Sequence, residues 1–122
     1  MEYTIICNGR SYDLPKRTLK TAEEIEKAVN IDNSNAPIKE KYRAVHKACL
    51  AIIGQKAADE ILGTNKLDEM DLGELTVLFE KIADAYQAPV NAYQAERSAE
   101  ALERLPINEL EKISKAVASI SK

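Results

Sequence analysis

Residues 72–105 read LGELTVLFEKIADAYQAPVNAYQAERSAEALERL, and this stretch decides how the rest of the chain is organised. Its apolar side chains recur at steps of three and four, a spacing that places them along one face of a helix. They are Leu72, Leu75, Phe79, Ile82, Tyr86, Val90 and Tyr93. The pattern predicts one long helix as the core element of the fold.

Pro89 stands near the middle of this stretch. A proline inside a helix removes one backbone hydrogen bond and clashes with the carbonyl four residues earlier, at a cost of about 3 kcal/mol, so the helix must either kink or break. No glycine lies nearby, and neither Gln87 nor Ala88 is a good cap for a new helix, which favours a kink. Length favours a bend as well, because a straight rod would reach about 51 Å, whereas a compact domain of this size is about 35 Å across.

The apolar stripe formed by these side chains loses its apolar character beyond Tyr93. The inward positions there carry Glu96, Arg97 and Glu100 before apolar residues resume. A charged patch on the stripe side of a helix has two interpretations of equal weight. Either the last turns are solvated, or they meet a partner.

The N-terminal residues 2–14, EYTIICNGRSYDL, contain Asn8-Gly9, the strongest short signal for a type I′ hairpin turn. The turn sets a register that pairs Cys7 with Arg10, Ile5 with Tyr12 and Tyr3 with Leu14. That register gathers five side chains on one face: Tyr3, Ile5, Cys7, Tyr12 and Leu14. A lone two-stranded ribbon is marginal in water, so this face must pack on the chain's own helices, which is favoured, or on another subunit or a partner.

Shorter helices are predicted between the ribbon and the long helix, and one after it. A capping-box pattern at Thr21–Glu24 starts a helix that runs to about Val29. A second helix covers Ile38–Ile53 with Gly54 as its cap, and a third covers residues 55–62 and stops at Gly63. The second helix has one apolar face, formed by Ile38, Tyr42, Val45, Cys49, Ile52 and Ile53. The last follows Pro106, from about residue 108 to 120. The predicted fold is mostly α (α+β): a single domain over 1–122, with a hairpin at 1–15 and about five helices over 16–122, the long Pro-kinked helix being the core.

Composition limits the classes of function. The chain has 122 residues, of which 45% are hydrophobic and 30% charged, the balance of one globular domain. Its net charge of -3 lacks the basic footprint of a nucleic-acid-binding protein. No run of about 20 apolar residues could span a bilayer, and no signal-peptide core follows Met1. We therefore expect a soluble, intracellular protein that binds neither nucleic acid nor membrane.

Residues that carry chemistry are sparse. Cys7 and Cys49 lack metal-binding spacing, and with the single His46 they cannot form a Cys/His site within one chain. Cys49 lies on the apolar seam of the second helix and is expected to be a small buried side chain, whereas His46 beside that seam is expected at the surface or its boundary. We predict no catalytic residue, no metal site and no cofactor, and hence no enzyme.

The segment around Gly54 has some likeness to a helix-turn-helix. Its would-be recognition helix, QKAADEIL, is short and carries Asp59 and Glu60 where DNA phosphates would lie. A small DNA-binding regulator is therefore a distant alternative.

The order of motifs along the chain says more than any one motif. The Asn-Gly ribbon leads to YDLPKRTLK (Tyr12–Lys20), then to ILGTNKLDEMDLGEL (Ile61–Leu75), and then to KIADAYQAPVNAYQAER (Lys81–Arg97). In size and layout the chain resembles the tail assembly chaperones, small tail-region proteins of siphophages and prophages of Gram-positive bacteria. The resemblance covers nearly the whole chain, and its motifs are structural.

The resemblance implies a non-enzymatic function in tail morphogenesis in the cytoplasm of the bacterial host. Such a protein binds the tape measure protein, or another phage tail protein, keeps its apolar helices soluble, and does not stay in the virion. A chaperone of a long apolar coiled coil usually acts in several copies, which is compatible with a homo-oligomer. An alternative is a structural tail or head-to-tail component retained in the virion. The candidate partner-binding residues are Tyr3, Ile5, Tyr12, Tyr86, Val90, Tyr93 and Arg97, each of which has intramolecular core as its alternative.

Overall fold

The structure is a computed structural model that describes residues 1–103, with side chains up to Glu100. In that part of the chain a hairpin of β1 (Tyr3–Cys7) and β2 (Arg10–Leu14) precedes four α-helices. The helices are α1 (Leu19–Asp32), α2 (Ile38–Ile53), α3 (Gln55–Leu62) and α4 (Leu72–Glu103). The mostly helical fold with an N-terminal hairpin is confirmed, and the helix predicted over about 108–120 lies outside the described residues.

The hairpin has the predicted turn and the predicted register. Asn8 and Gly9 both have positive φ, 53° and 78°, as a type I′ turn requires at its two central positions. Cys7 lies opposite Arg10, Ile5 opposite Tyr12 and Tyr3 opposite Leu14. The register follows because a two-residue turn leaves the flanking strands no other way to pair.

The ribbon packs on the chain's own helices, as the favoured prediction had it. Its inward side chains Ile5, Cys7 and Leu14 are buried, and they belong to one hydrophobic cluster with residues of α1, α2, α3 and α4. The opposite face of the ribbon is exposed, including Ile6. A hairpin too small to stand alone is thus completed by a helical core.

The first helix begins three residues before the point where its capping box was predicted. Thr18 is the N-cap: its hydroxyl accepts a hydrogen bond from the Thr21 amide (3.3 Å), and the Thr21 hydroxyl accepts one from the Thr18 amide (2.9 Å). The prediction placed Thr21 at the cap with Glu24 as its partner, and it was wrong because Thr21 fills the partner's position instead. At this position the threonine hydroxyl accepts the hydrogen bond from the N-cap amide that a Glu or Gln side chain normally accepts.

The second and third helices have their predicted bounds, and glycines separate them. Gly54, with φ 85°, ends α2 and starts α3, and Gly63, with φ 74°, caps α3 by donating its amide to the Asp59 carbonyl at 2.8 Å. Both glycines have the positive φ that a side chain would disfavour. The following loop contains a 3-10 turn, Leu67–Glu69, that was not predicted.

The long helix starts where predicted, and the Asp71 carboxylate accepts the Glu74 amide at 2.9 Å as an N-cap. The helix is continuous through Pro89. Four of its side chains are almost completely buried: Leu75, Leu78, Ile82 and Tyr86. The predicted stripe was wrong at Leu72, which lies in the first turn and is exposed, and it omitted Leu78, which is buried.

The chain falls into two compact units, Met1–Gln87 and Ala88–Lys122. The first contains the hairpin, α1 to α3, and α4 as far as Gln87. In the second, residues 88–103 are described, and they continue α4.

Candidate interaction surfaces

An aromatic contact joins the ribbon to the long helix. The Tyr3 and Tyr86 rings meet edge to face, with centroids 4.8 Å apart and planes at 64°. This arrangement places the positive edge of one ring against the negative face of the other. The Tyr86 hydroxyl donates a hydrogen bond to the Pro15 carbonyl at 2.9 Å, and burial raises the pKa of Tyr86. Tyr86 thereby fixes both the start and the end of the ribbon.

Polar contacts hold the ribbon along its length. The Lys81 ammonium on α4 donates to the Ile6 carbonyl at 2.8 Å, which occupies one backbone acceptor of the ribbon. At the turn, the Asn8 side-chain amide donates to the Ile61 carbonyl at 3.4 Å. The Lys81 contact pairs a backbone acceptor that the strand edge would otherwise offer to another chain, and the Asn8 contact ties the turn to α3.

One carboxylate of α3 contacts two side chains of β2. Glu60 accepts a hydrogen bond from the Tyr12 hydroxyl at 3.5 Å and forms an ion pair with Arg10 at 3.7 Å. Both contacts are long and exposed, so they orient the strand more than they stabilise it. Tyr12 itself is half-buried.

Four of the seven candidate partner-binding residues therefore face other parts of the same chain. Ile5 and Tyr86 are buried, and Tyr3 and Tyr12 are half-buried. Ile5 and Tyr86 would meet a partner only if the ribbon moved away from the helices.

The other three candidates lie beyond Pro89 and share one helical face. Val90 is half-buried, whereas the Tyr93 side chain keeps 61% of its surface exposed and Arg97 is exposed as well. All ten residues from Asn91 to Glu100 are exposed. The structure thus brings Val90, Tyr93 and Arg97 into one row at steps of three and four, with an aromatic ring between a small apolar side chain and a cation.

His46 is buried, with only 9% of its surface exposed, and the prediction of a surface or boundary position was wrong. The reason is tertiary: α3 turns back at Gly54 and brings the Asp59 carboxylate close enough to affect it. Burial lowers the pKa of His46, and the charge of Asp59 opposes that shift. The His46 Nε2 and Asp59 Oδ1 atoms are both buried without a hydrogen-bond partner.

The cysteines are free thiols, and both are buried. Burial raises the pKa of Cys49 to about 12, so its thiol is almost entirely protonated at neutral pH. The predicted buried position of Cys49 on the seam of α2 is confirmed.

Within residues 1–103, no cluster of three or more His, Cys, Asp or Glu side chains could hold a metal ion. In the same part of the chain, no helix combines the length and the apolar character needed to cross a membrane.

The chain was compared with models of protein families, with curated protein sequences and with solved structures. It matches none of them.

Apolar side chains also remain exposed at the first turns of two helices in the first unit. Ile38 opens α2 and Leu72 opens α4, and both are exposed although periodicity assigned them to core stripes. Periodicity shows which face of a helix is apolar, but it does not show where the neighbouring element stops covering that face. It therefore overestimates burial at helix ends. The sequence does mark such exposed residues, because each is the first apolar residue of its stripe.

Proposed function

We propose that this chain is a tail assembly chaperone-like protein of siphophages or prophages of Gram-positive hosts. It binds the tape measure protein during tail morphogenesis, in the cytoplasm of the bacterial host, and catalyses no reaction. The order of motifs from the Asn-Gly ribbon to KIADAYQAPVNAYQAER supports this proposal. Its partner is a long, largely apolar helix that needs cover until the tail tube forms around it.

The observation that carries the proposal is the row of half-buried Val90 and exposed Tyr93 and Arg97, on a helix that is exposed throughout residues 91–100. Tyrosine and arginine are, with tryptophan, the residue types enriched among the residues that dominate binding energy at protein interfaces. A tyrosine ring offers a large apolar area and loses little conformational entropy on binding. Several copies acting as a homo-oligomer would multiply this weak contact along one long helix.

Co-expression with a tape measure fragment tests the proposal. We expect a fragment that is insoluble by itself to be recovered in the soluble fraction together with this chain. A fragment that stays equally insoluble would contradict the proposed function.

Two matched variants locate the contact. We expect Tyr93→Ala to reduce the soluble yield of the fragment, because it removes the exposed ring at the centre of the row. Leu19→Ala is the control, since Leu19 is also a large exposed apolar residue but lies at the start of α1. Equal losses in the two variants would show that the row has no particular part in binding.

A structural tail or head-to-tail component retained in the virion is the alternative, and mass spectrometry of purified virions separates the two. A transient chaperone is expected to be absent or far below the level of the tube proteins. Stoichiometric presence would favour the structural component.

We also propose that α4 is kinked at Pro89. The residue lacks the amide that would bond to the preceding turn, although the helix continues through it. Under this proposal Pro89→Ala leaves the protein folded and its oligomeric state unchanged by light scattering. A change in oligomeric state would contradict the proposal that Pro89 only bends this helix.

A further inference from the structure

A hollow of about 290 Å³ lies between the first turn of α2 and the start of α4 in the first unit. Its walls are mainly apolar, and Ile38 and Leu72 on its rim are exposed. The 3-10 turn contributes Leu67, and Tyr42 and Met70 complete the apolar walls. Such a hollow accepts an aliphatic side chain of another molecule.

A second hollow, of about 270 Å³, shares Tyr42 with the first. Its apolar walls come from Val29 on α1, Val45 on α2 and Phe79 on α4. Since both hollows lie along α2 and α4 and meet at Tyr42, we treat them as one surface and call it the Tyr42 groove.

The length of the Tyr42 groove matches two turns of a helix. Ile38 and Val45 are seven residues apart on α2, about 10.5 Å along the axis. Leu72 and Phe79 are also seven residues apart, on α4. A bound helix whose apolar side chains are separated by two turns, about 10.8 Å, would therefore place one in each hollow.

The charges at the rim distinguish the two ends. Asp32 and Glu80 line the second hollow and both are exposed, and among the residues that the structure describes no cation lines it. The ion pairs found among residues 1–103 are Arg10–Glu60 and Lys27–Glu24, so neither carboxylate is neutralised there. At the first hollow, by contrast, Lys39 accompanies Asp68. The groove is thus acidic at the second hollow and carries one charge of each sign at the first. It complements a helix whose basic end lies over the second hollow.

We infer that the Tyr42 groove binds an amphipathic helix of another protein. That helix carries apolar anchors two turns apart and a Lys or Arg at the end that lies over Asp32 and Glu80. The inference goes beyond the proposed function, whose candidate contacts lie on the ribbon, at Tyr86 and after Pro89. It rests on residues of the first unit alone.

Fluorescence anisotropy on the full chain tests this with a labelled helical peptide of about 16 residues, with two leucines two turns apart and lysines at one end. A second peptide differs only in having glutamates in place of the lysines. We expect saturable binding of the basic peptide, and binding of the acidic peptide at least about tenfold weaker because it meets unpaired carboxylates.

Variants of the protein locate the site. We expect Ile38→Asp to weaken binding of the basic peptide by at least about tenfold, since it places a charge in the apolar rim. Ile6→Asp is the matched control: Ile6 is 65% exposed and Ile38 68%, but Ile6 lies on the outer face of the ribbon. The double change Asp32→Lys with Glu80→Lys should reverse the preference between the two peptides. Circular dichroism confirms that each variant is folded.

Several results would overturn the inference. They are the absence of saturable binding, equal affinity for the two peptides, and equal effects of Ile38→Asp and Ile6→Asp. Sedimentation equilibrium tests a different occupant, a second copy of this chain. Self-association that Ile38→Asp abolishes would assign the groove to that copy and reject a foreign helix.

Discussion

The long helix α4 behaves differently before and after Pro89. In the first unit it buries Leu75, Leu78 and Ile82 almost completely, and Tyr86 completes the same stripe. From Asn91 to Glu100, in the second unit, every side chain is exposed. One continuous helix thus contains a segment buried in the core of the first unit and a segment whose side chains are exposed to solvent.

The difference shows that an apolar stripe is buried only where another element covers it. Before Pro89 the ribbon supplies Tyr3 and the Pro15 carbonyl to a single side chain, Tyr86. After Pro89 the stripe thins to Val90 and Tyr93, and charged residues follow. We therefore expect substitutions of stripe residues before Pro89 to change the free energy of unfolding, and substitutions after Pro89 to change only the binding of a partner.

Leu78→Ala and Tyr93→Ala test this most directly. Leu78 is 1% exposed, so its truncation leaves a cavity, and we expect a loss of about 2–5 kcal/mol in the free energy of unfolding. Tyr93 is 61% exposed, and its truncation should change that free energy by no more than about 0.5 kcal/mol. Urea denaturation followed by circular dichroism measures both values. Similar losses would remove the distinction between the two parts of α4.

The next largest expected effect is a dependence of the free energy of unfolding on pH, caused by the Cys49 thiol. Burial raises its pKa from an ordinary 9.0 to about 12, so the folded state keeps a proton that the unfolded state releases. The stabilisation is fully present below pH 9 and is lost as the pH rises towards 12. Over this window we expect the free energy of unfolding to fall by up to about 1.4 kcal/mol per pH unit.

Cys49→Ala is the control for that window. Alanine does not titrate, so the variant should lose less stability per pH unit above pH 9 than the parent chain does, whatever its stability at neutral pH. Equal slopes in urea denaturation series at pH 9 and 10 would show that Cys49 ionises as freely in the folded chain as in the unfolded one.

Tyr86→Phe has a smaller expected effect. It removes the hydroxyl that donates to the Pro15 carbonyl at 2.9 Å and leaves the ring against Tyr3. We expect a loss of about 1 kcal/mol in the free energy of unfolding. The same change at the exposed Tyr93 should have no measurable effect, and an equal loss there would show that the Pro15 contact contributes nothing.

The local features of this fold were predictable from the sequence because they depend on neighbouring residues. The register of the ribbon follows from Asn8-Gly9, and the bounds of α2 and α3 follow from Gly54 and Gly63. The start of α1 was misplaced because two threonines, Thr18 and Thr21, offer equivalent hydroxyls and only the path of the chain selects between them.

The candidate surfaces were less predictable because burial depends on which elements meet. The sequence identified Tyr86 and Tyr93 as equivalent members of one stripe, yet one is buried and the other exposed. It assigned Ile38 and Leu72 to core stripes, although their position in the first turn leaves them exposed. No pattern within α2 indicates that Asp59, thirteen residues further along, approaches His46.

His46 provides the smallest expected effect, measurable by NMR because it is the chain's single histidine. Burial lowers its pKa below the ordinary 6.5, and Asp59 partly restores it. Because the folded state disfavours the proton, His46 contributes stability that is present above pH 6.5 and is lost as the pH falls through the folded pKa. Following the imidazole Cε1 proton against pH should therefore give a midpoint below 6.5 in the folded chain.

Asp59→Asn separates the two causes of the shift in the pKa of His46. Removing the carboxylate charge leaves the burial in place, so the midpoint should move further down. Glu60→Gln is the matched control, because Glu60 lies beside Asp59 on α3 but contacts Tyr12 and Arg10 of the ribbon. A midpoint that moves equally in both variants, or upward in Asp59→Asn, would mean that the packing of α3 against α2 does not bring Asp59 to His46.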